Sequence, residues 1–209
     1  MKLRLWIIAQ RTAKKPFKAV LPHSVSNNIG IINFDTDDIK IGSKTYTTAE
    51  FCVYIASIIA GTALNESVTG KVISEISSIT ESLTPDADVD AGKLILINDG
   101  EQVEIARGVN SLTTVGTNQT EDMKSIKIVE GMDLIAEDIR TTFKENYIGR
   151  SNSIENKELF IAAVNQYFET LTKEGVLYDG YEHYAEIDID AQREYLASKS
   201  VDVANMSDV

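Results

Sequence analysis

The chain has 209 residues and a hydrophobic fraction of 43%, which is typical of an ordinary globular protein. A chain of this length can bury a core without cross-links, and its single cysteine, Cys52, excludes an internal disulfide. The net charge is −12, and basic residues cluster only near the N-terminus. Because nucleic-acid binding requires a basic surface, the charge argues against nucleic acid and against anionic membranes as partners.

The longest apolar run, residues 51–60, is much shorter than the roughly 20 residues that span a bilayer. We interpret it as a buried helix and Cys52 within it as a small core residue. Residues 1–9 combine basic and apolar side chains but lack the apolar length and cleavage pattern of a signal peptide. We therefore expect a cytosolic product that makes no membrane contact by itself.

The N-terminal part alternates predicted helices and strands. Residues 2–15 have helical spacing, residues 17–22 and 29–34 are short predicted strands, and residues 24–28 between them are helix-like. This alternation favours a core of parallel strands. Residues 38–47 follow as a predicted β-hairpin with a Gly-Ser turn.

Thr48 is the predicted N-cap of a helix over residues 49–60, which ends at Gly61. This helix is apolar almost all round, which predicts a central place in the core. The pattern of residues 64–81 does not distinguish helix from strand. Pro85 begins one or two predicted helical turns, with acidic residues near the helix start, where the helix dipole favours them.

Asp99-Gly100 joins two alternating apolar runs, residues 93–99 and 102–108, and so predicts a second β-hairpin. Arg107 ends the second run, and a polar, Thr-rich segment follows it. Arg107, Asn110 and Ser111 fit either a binding site or a strand end with a turn, and the local pattern does not decide between them.

Two long helices are predicted in the C-terminal part. Residues 132–149 carry an apolar face, with residues 125–131 either a strand or a lead into this helix. Residues 153–175 have the most regular apolar stripe of the chain and end at a glycine. Residues 176–190 are interpreted as a hairpin or extended arm.

The C-terminal end of the sequence has weaker patterns. Residues 186–190 alternate acidic and apolar side chains, which predicts a half-exposed strand. Residues 191–200 are expected to form a last helical turn. Residues 201–209 begin like a strand, and we expect that a final strand is missing.

We predict no catalytic residue, metal site or cofactor. The chain has only two histidines, Cys52 has no partner cysteine, and the phosphate-binding and nucleophile-elbow motifs are absent from the sequence. The carboxylates of residues 35–38 lack EF-hand spacing, so a solvated turn is expected. His23 beside Ser24 leaves a degenerate hydrolase open as an alternative, and a small-ligand-binding module is a further alternative.

The run AGKLILINDGEQVEIARGVNSLTT, residues 91–114, resembles the tail sheath proteins of contractile Firmicutes phages and of defective-prophage bacteriocin particles. Residues 46–62, 124–150 and 159–177 resemble the same family in the same order. The resemblance implies an α/β fold, with a mixed sheet and flanking helices in the core domain. Residues 1–118 would be part of the sheath core domain, which is named after subtilisin for its fold alone. Residues 119–209 would be an α+β C-terminal domain.

The resemblance also implies a function and a set of partners. Sheath subunits form six-fold rings that stack as a helical sleeve around an inner tail tube, between a baseplate and a tail terminator. Contraction of the sleeve drives the tube through a cell envelope. The expected location is a virion or phage-tail-like particle assembled in the bacterial cytoplasm; phage and bacteriocin remain alternatives.

The family joins its subunits by terminal arms that add strands to neighbouring sheets. This chain departs from the family pattern, because the longer N-terminal part and the last C-terminal strand are both absent from it. Arg107 is a candidate contact to an acidic residue of a neighbouring subunit, with a local ion pair or a solvent-facing position as the alternatives. Lys157, Glu158 and Lys173 are candidate tube contacts on the helix over residues 153–174, with a solvated helix face as the alternative.

Overall fold

Short strands and longer helices make up residues 2–202, which are the residues described by the computed structural model. The strands are β1 (Ala19–Pro22), β2 (Ile31–Phe34), β3 (Asp37–Ile41), β4 (Lys44–Tyr46), β5 (Ile76–Thr80), β6 (Lys93–Leu94), β7 (Leu96–Asn98) and β8 (Val103–Ile105). The helices are α1 (Lys2–Thr12), α2 (Thr48–Gly61), α3 (Pro85–Asp90), α4 (Ile126–Asn146), α5 (Ile154–Lys173) and α6 (Ile189–Ser198). None of the helices within residues 2–202 is long and apolar enough to cross a membrane.

The α/β class is confirmed, but the strands form three small sheets instead of the one mixed sheet that was expected. Strands β1, β2 and β6 are parallel, β4, β3 and β5 are antiparallel, and β7 pairs with β8. The sheets separate because the apolar run of residues 93–98 is divided at Ile95. Its first part pairs with β2, and its second part turns back through the predicted Asp99-Gly100 hairpin.

The loop between β1 and β2 is not helical, which corrects the prediction for residues 24–28. His23 and Asn27 both have positive φ angles, and a helix needs consecutive negative φ values. The Asn28 side chain accepts a hydrogen bond from the Gly30 backbone at 2.9 Å. Asn side chains compete in this way with helical hydrogen bonding, so the polar loop takes an irregular path.

Helix α2 begins one residue earlier than expected, with Thr47 as its N-cap in a capping box with Glu50. Thr48 instead donates its hydroxyl to the Thr36 carbonyl at 2.8 Å. The predicted central place of this helix in the core is confirmed by Phe51, Cys52 and Ile55, which are buried, although Val53 on its outer side is 74% exposed. Cys52 is buried as predicted, and burial raises the pKa of its thiol to about 11.

The main core lies between α2 and the strands that contact it. Its buried members are Ile32, Phe34, Ile39, Phe51, Cys52, Ile55, Val68, Ile73, Ile76, Leu94, Leu96, Val103, Ile105 and Ile126. Phe51 stacks on the ring of Tyr54 at a centroid distance of 4.8 Å. This core packs the parallel and antiparallel sheets against each other. It thereby fixes the positions of the strand ends, next to which His23, Asp35 and Lys93 lie.

The chain divides into two compact units between Glu137 and Asp138, inside α4. In the second unit, Phe160 of α5 contacts the rings of Phe143 and Tyr147, and the Tyr167 hydroxyl bonds to Asp138 at 2.6 Å. These pairs make the end of α4 and α5 antiparallel. The predicted α5 is confirmed, with Gly175 beyond it at positive φ.

The expected strand at residues 186–190 is wrong. Asp188 accepts a hydrogen bond from the Ala191 backbone at 2.8 Å and caps α6, so the acidic alternation marks a helix start. Between residues 119 and 202 the structure has helices and one isolated bridge at Ser125, but no strand, in contrast to the α+β expectation. The expected strand at residues 201–209 falls mostly on residues 203–209, which lie outside the described part.

Candidate functional site

A charged cluster lies at the carboxyl ends of the parallel strands. His23 follows β1, Asp35 follows β2, and Lys93 belongs to β6. Lys93 Nζ lies 2.7 Å from Asp35 Oδ2 and 2.8 Å from Asp88 Oδ1, and His23 Nδ1 contacts Asp35 Oδ1. This edge of a parallel sheet is where α/β proteins commonly bind ligands, so the cluster is the first place to look for chemistry.

The charged groups of the cluster shift the pKa values of one another, as expected for a network of ion pairs. Burial opposes ionisation of Asp35, but hydrogen bonds from Lys93 and His23 outweigh it and lower the Asp35 pKa. Hydrogen bonds from Lys93 and then Ser82 lower the Asp88 pKa. The same two carboxylates raise the Lys93 pKa, and all three groups are therefore held in their charged forms.

The cluster does not have the geometry of a hydrolase triad. A triad histidine uses one ring nitrogen for an acid and the other for the nucleophile. Here Nδ1 of His23 faces Asp35, and Nε2 lies 3.4 Å from Asp37 Oδ1. Ser24 is held through its backbone, which donates to the Asn33 side chain. His183, the other histidine, contacts the Tyr178 carbonyl at 2.8 Å.

Residues 35–38 are not the solvated turn that the sequence suggested. The Asp35 side chain is only 17% exposed within its ion pairs, and Asp37 and Asp38 begin β3. The Asp35 carboxylate pairs with Lys93 of β6, and the Asp38 carboxylate accepts a hydrogen bond from Thr80 of β5. No group of three or more His, Cys, Asp or Glu side chains in the described chain is arranged to hold a metal ion.

The polar segment that follows Arg107 is buried where it passes through Asn110 and Ser111. Asn110 and Ser111 are each 1% exposed. Asn110 donates to the Met123 carbonyl at 2.7 Å and accepts from the Leu112 backbone at 2.9 Å. The Ser111 backbone donates to the Ile31 carbonyl at 2.8 Å. These bonds fix the segment against the start of β2, the central strand of the parallel sheet. Sequence reasoning missed them because polar residues usually indicate a surface.

Arg107 lies at the rim of a cleft of about 460 Å³ in the first unit. The Arg107 side chain is exposed and has no hydrogen-bond or ion-pair partner among residues 2–202. Other charged residues that line the cleft are Asp90, Glu121, Asp122 and Lys124. Lys124 is paired with Glu121 at 2.6 Å, so the Arg107 guanidinium is the unpaired cation in the described lining of this cleft.

The three α5 candidates lie in the second unit and are not brought to one point. Glu158 and Lys173 are exposed and fall within about 60° of each other around the helix, roughly 22 Å apart along it. Lys157 is half-buried and points about 100° away from Glu158. Lys173 lies 3.9 Å from Glu169, in a pair exposed enough to contribute little stability.

Comparison with known proteins identifies relatives for most of the chain. Residues 118–207 match the family described as phage tail sheath C-terminal domain. A tail sheath protein of Clostridium phage phiCD119 is 36% identical over 194 residues, which are 91% of this chain and 54% of the relative. The chain therefore spans about half the length of the curated relative that it matches.

Solved structures of sheath proteins share the fold. The sheath tail protein from Desulfitobacterium hafniense superposes with a TM-score of 0.74 at 18% identity, over 82% of this chain and 42% of that one. The helical sheath of the anti-feeding prophage in its contracted state gives a TM-score of 0.55 at 10% identity, over 75% of this chain and 46% of that one. At these identities the likeness shows the architecture.

Proposed function

From the match of residues 118–207 to the phage tail sheath C-terminal domain and the similarity of 91% of the chain to a tail sheath protein, we propose that the chain is a phage tail sheath protein that acts as a structural subunit of a contractile tail sheath. The sheath would surround an inner tail tube and, by contracting, drive that tube through a cell envelope. The observation that carries this proposal is the 36% identity to a tail sheath protein over 91% of the chain. Its place would be a virion or phage-tail-like particle, assembled in the bacterial host cytoplasm.

The proposed mechanism is a change of packing and not a chemical reaction. An extended lattice of subunits would relax into a contracted lattice with more buried contact, as interfaces with two discrete arrangements do. The His23 geometry supports this non-enzymatic role, because both ring nitrogens face carboxylates. Within the first unit, the buried hydrogen bonds of Asn110 and Ser111 support a connection that keeps its shape while the packing between subunits changes.

The proposed partners follow from the family. Residues 1–118 would form part of the subtilisin-like core domain, and residues 119–209 would form the C-terminal domain. Other copies would complete six-fold rings and a helical stack. The inner tube, the baseplate and the tail terminator would be the remaining contacts of the assembled sheath.

Arg107 is proposed to contact a neighbouring subunit. Its guanidinium lies exposed at the cleft rim without a partner in the described chain, and a carboxylate is the group that it pairs with most strongly. Glu158 and Lys173 are proposed to contact the tube through the exposed side of α5, and Lys157 from its half-buried position about 100° around the helix. The alternating charges along this side support a contact that slides or detaches more readily than an apolar one.

Electron microscopy tests the sheath proposal. The chain is compared with a chimera that adds the flanking segments of the Clostridium phage relative on both sides. We expect rings or tubes from the chimera, because those segments supply the rest of a sheath subunit's length. If neither protein assembles at high concentration, the sheath proposal is wrong and ligand screening becomes the next step.

A matched pair of variants then tests the Arg107 contact in the chimera. Arg107→Glu is expected to shorten or abolish the tubes, because like charges would meet where a carboxylate is expected. Arg150→Glu reverses a charge of the same kind in the linker after α4 and is the control. Equal tube lengths for both variants would remove Arg107 from the interface and leave the sheath proposal standing.

A further inference from the structure

Helix α1 turns its apolar side outward. Leu3 is 52%, Leu5 56% and Trp6 46% exposed, and with Ala9 they cover about 160° of the helix surface. Phe17 is 45% exposed and extends this side, with its ring centroid 5.0 Å from that of Trp6. Soluble helices normally show the opposite arrangement. We define Leu3, Leu5, Trp6 and Phe17 as the α1 face.

The other side of α1 is fixed to the protein by charge as well as by packing. Ile7 is 2% exposed, and Arg11 Nη1 makes hydrogen bonds of 2.7 and 2.9 Å to the Asp133 carboxylate. Lys18 joins the same carboxylate and lies 3.1 Å from Glu130. The helix cannot roll to bury the α1 face without breaking these pairs, so the face stays uncovered by residues 2–202.

The surroundings of the α1 face are strongly basic. Residues 2–18 hold six Lys and Arg and no Asp or Glu, although the whole chain has a net charge of −12. Arg11 and Lys18 are used by the pairs with α4, and Arg4 donates to the Val25 carbonyl at 3.2 Å. Lys2, Lys14 and Lys15 remain exposed around the apolar centre. The partner of this face should be apolar and acidic together.

One segment of the same chain has that chemistry. Residues 174–195 hold seven Asp and Glu and one Arg. The segment also carries four exposed tyrosines: Tyr178 (67%), Tyr181 (74%), Tyr184 (61%) and Tyr195 (63%). Aromatic rings of this kind are enriched where protein interfaces form, and an acidic rim attracts a basic one. We define residues 174–195 as the tyrosine segment.

We propose that the α1 face of one copy binds the tyrosine segment of a second copy. The contact joins two different surfaces, so each copy keeps one free face and one free segment after pairing. A contact of this type propagates into rings or helical stacks instead of stopping at a dimer. This inference rests on the proposed sheath function in one respect, which is that the partner is a second copy of the same chain.

Two complementary variants test the contact. The face variant carries Leu3→Ser and Trp6→Ser, and the segment variant carries Tyr181→Ser, Glu182→Gln and Glu186→Gln. Each alone should sediment as a monomer, whereas an equimolar mixture should form a one-to-one complex, because each variant keeps the surface that the other lacks. The wild-type chain should associate further with concentration. Far-UV circular dichroism checks that both variants are folded.

Trp6 reports directly on the α1 face, because it is the single tryptophan of the chain. In the mixture only the segment variant carries it, so its emission should shift to the blue on pairing and return as added salt screens the charges. Leu83→Ser removes an isolated apolar side chain that is 98% exposed, and this control should associate like wild type.

Three results would overturn the contact. They are a mixture that stays monomeric, a face variant that still self-associates, and a Trp6 shift with anionic lipid vesicles in place of the partner variant. The last result would assign the α1 face to a lipid surface. Tubes from the chimera together with no pairing of the two variants would refute this contact while leaving the sheath function in place.

Discussion

Lys93 lies between two carboxylates, and this position makes stability depend on pH. The Asp35 and Asp88 pKa values are lowered, so their contribution is complete above the ordinary aspartate pKa near ~4 and is lost as pH falls through the lowered values. The Lys93 pKa is raised, so its contribution is complete below about 10.4 and is lost as pH rises through the raised value.

We expect Lys93→Gln to lower the free energy of unfolding by about 2 kcal/mol at pH 7, because it leaves two part-buried carboxylates without their cation. The difference from wild type should shrink as the pH falls below ~4. Urea unfolding at several pH values measures it. Lys173→Gln, in an exposed pair, is the control and should change stability by less than about 0.5 kcal/mol. A wild-type advantage that stays constant down to pH 2 would refute the linkage.

Asn110 makes a second prediction at the residue scale. Asn110→Ala would leave the Met123 carbonyl and the Leu112 amide without their side-chain partner in a buried segment. The expected loss is about 3 kcal/mol of unfolding free energy, since each unsatisfied buried group costs about 1 to 3 kcal/mol. Asn118→Ala removes the same side chain from an exposed loop nearby. Equal effects of the two substitutions would show that the Asn110 bonds carry no stability.

Helix α1 is held by few contacts, which makes its attachment testable at the element scale. Asp133→Asn removes the charge that pairs with Arg11 and Lys18. We expect a loss of about 2 kcal/mol, because both cations are largely buried and would lose the carboxylate charge that they share. Trp6 emission should respond at lower urea concentrations than the circular dichroism of the whole chain. Glu145→Gln, near the exposed end of α4, is the control. Coincident transitions for Asp133→Asn would contradict a locally attached helix.

Elements with strong local signals were predictable from the sequence. The Asp99-Gly100 hairpin, the hairpin before α2, and α5 with its terminal glycine all formed as expected. Their patterns are set by neighbours within a few residues. The division at Ile95 was not predictable, because an alternating run indicates a strand without naming its partner. The alternating residues before α6 also look like a strand, because the pattern does not show that the Asp188 side chain caps a helix.

For the whole molecule, the resemblance seen in the sequence agrees with the relatives found by comparison, but the sequence did not reveal the arrangement of the candidate site. Arg107 could be singled out at a strand end, whereas the burial of Asn110 and Ser111 depends on Met123 and Ile31, which are distant in sequence. The sequence also did not reveal that the apolar side of α1 faces outward. Helical spacing of apolar residues predicts a helix but does not say which side is covered, and here the pairing of Arg11 with Asp133 decides it.

The position of the boundary between the two units makes a last prediction. The proposed C-terminal domain begins at residue 119, but the compact units divide at Glu137, inside α4. A fragment over residues 119–209 keeps all of α4, whereas a fragment over residues 138–209 loses residues 126–137 from it. Helices shorter than about 12 residues are marginal by themselves, so the shorter fragment leaves α5 with a weak partner.

We therefore expect the 119–209 fragment to be clearly more helical per residue and to unfold cooperatively, and the 138–209 fragment to show a broad transition. Far-UV circular dichroism with thermal melting measures both properties. Phe160→Ala in the longer fragment is the internal check, because it removes the ring that contacts Phe143 and Tyr147 and should cost about 3 kcal/mol. Equal helicity and equally sharp melting of the two fragments would place the folding boundary at residue 138 and refute a domain that begins at residue 119.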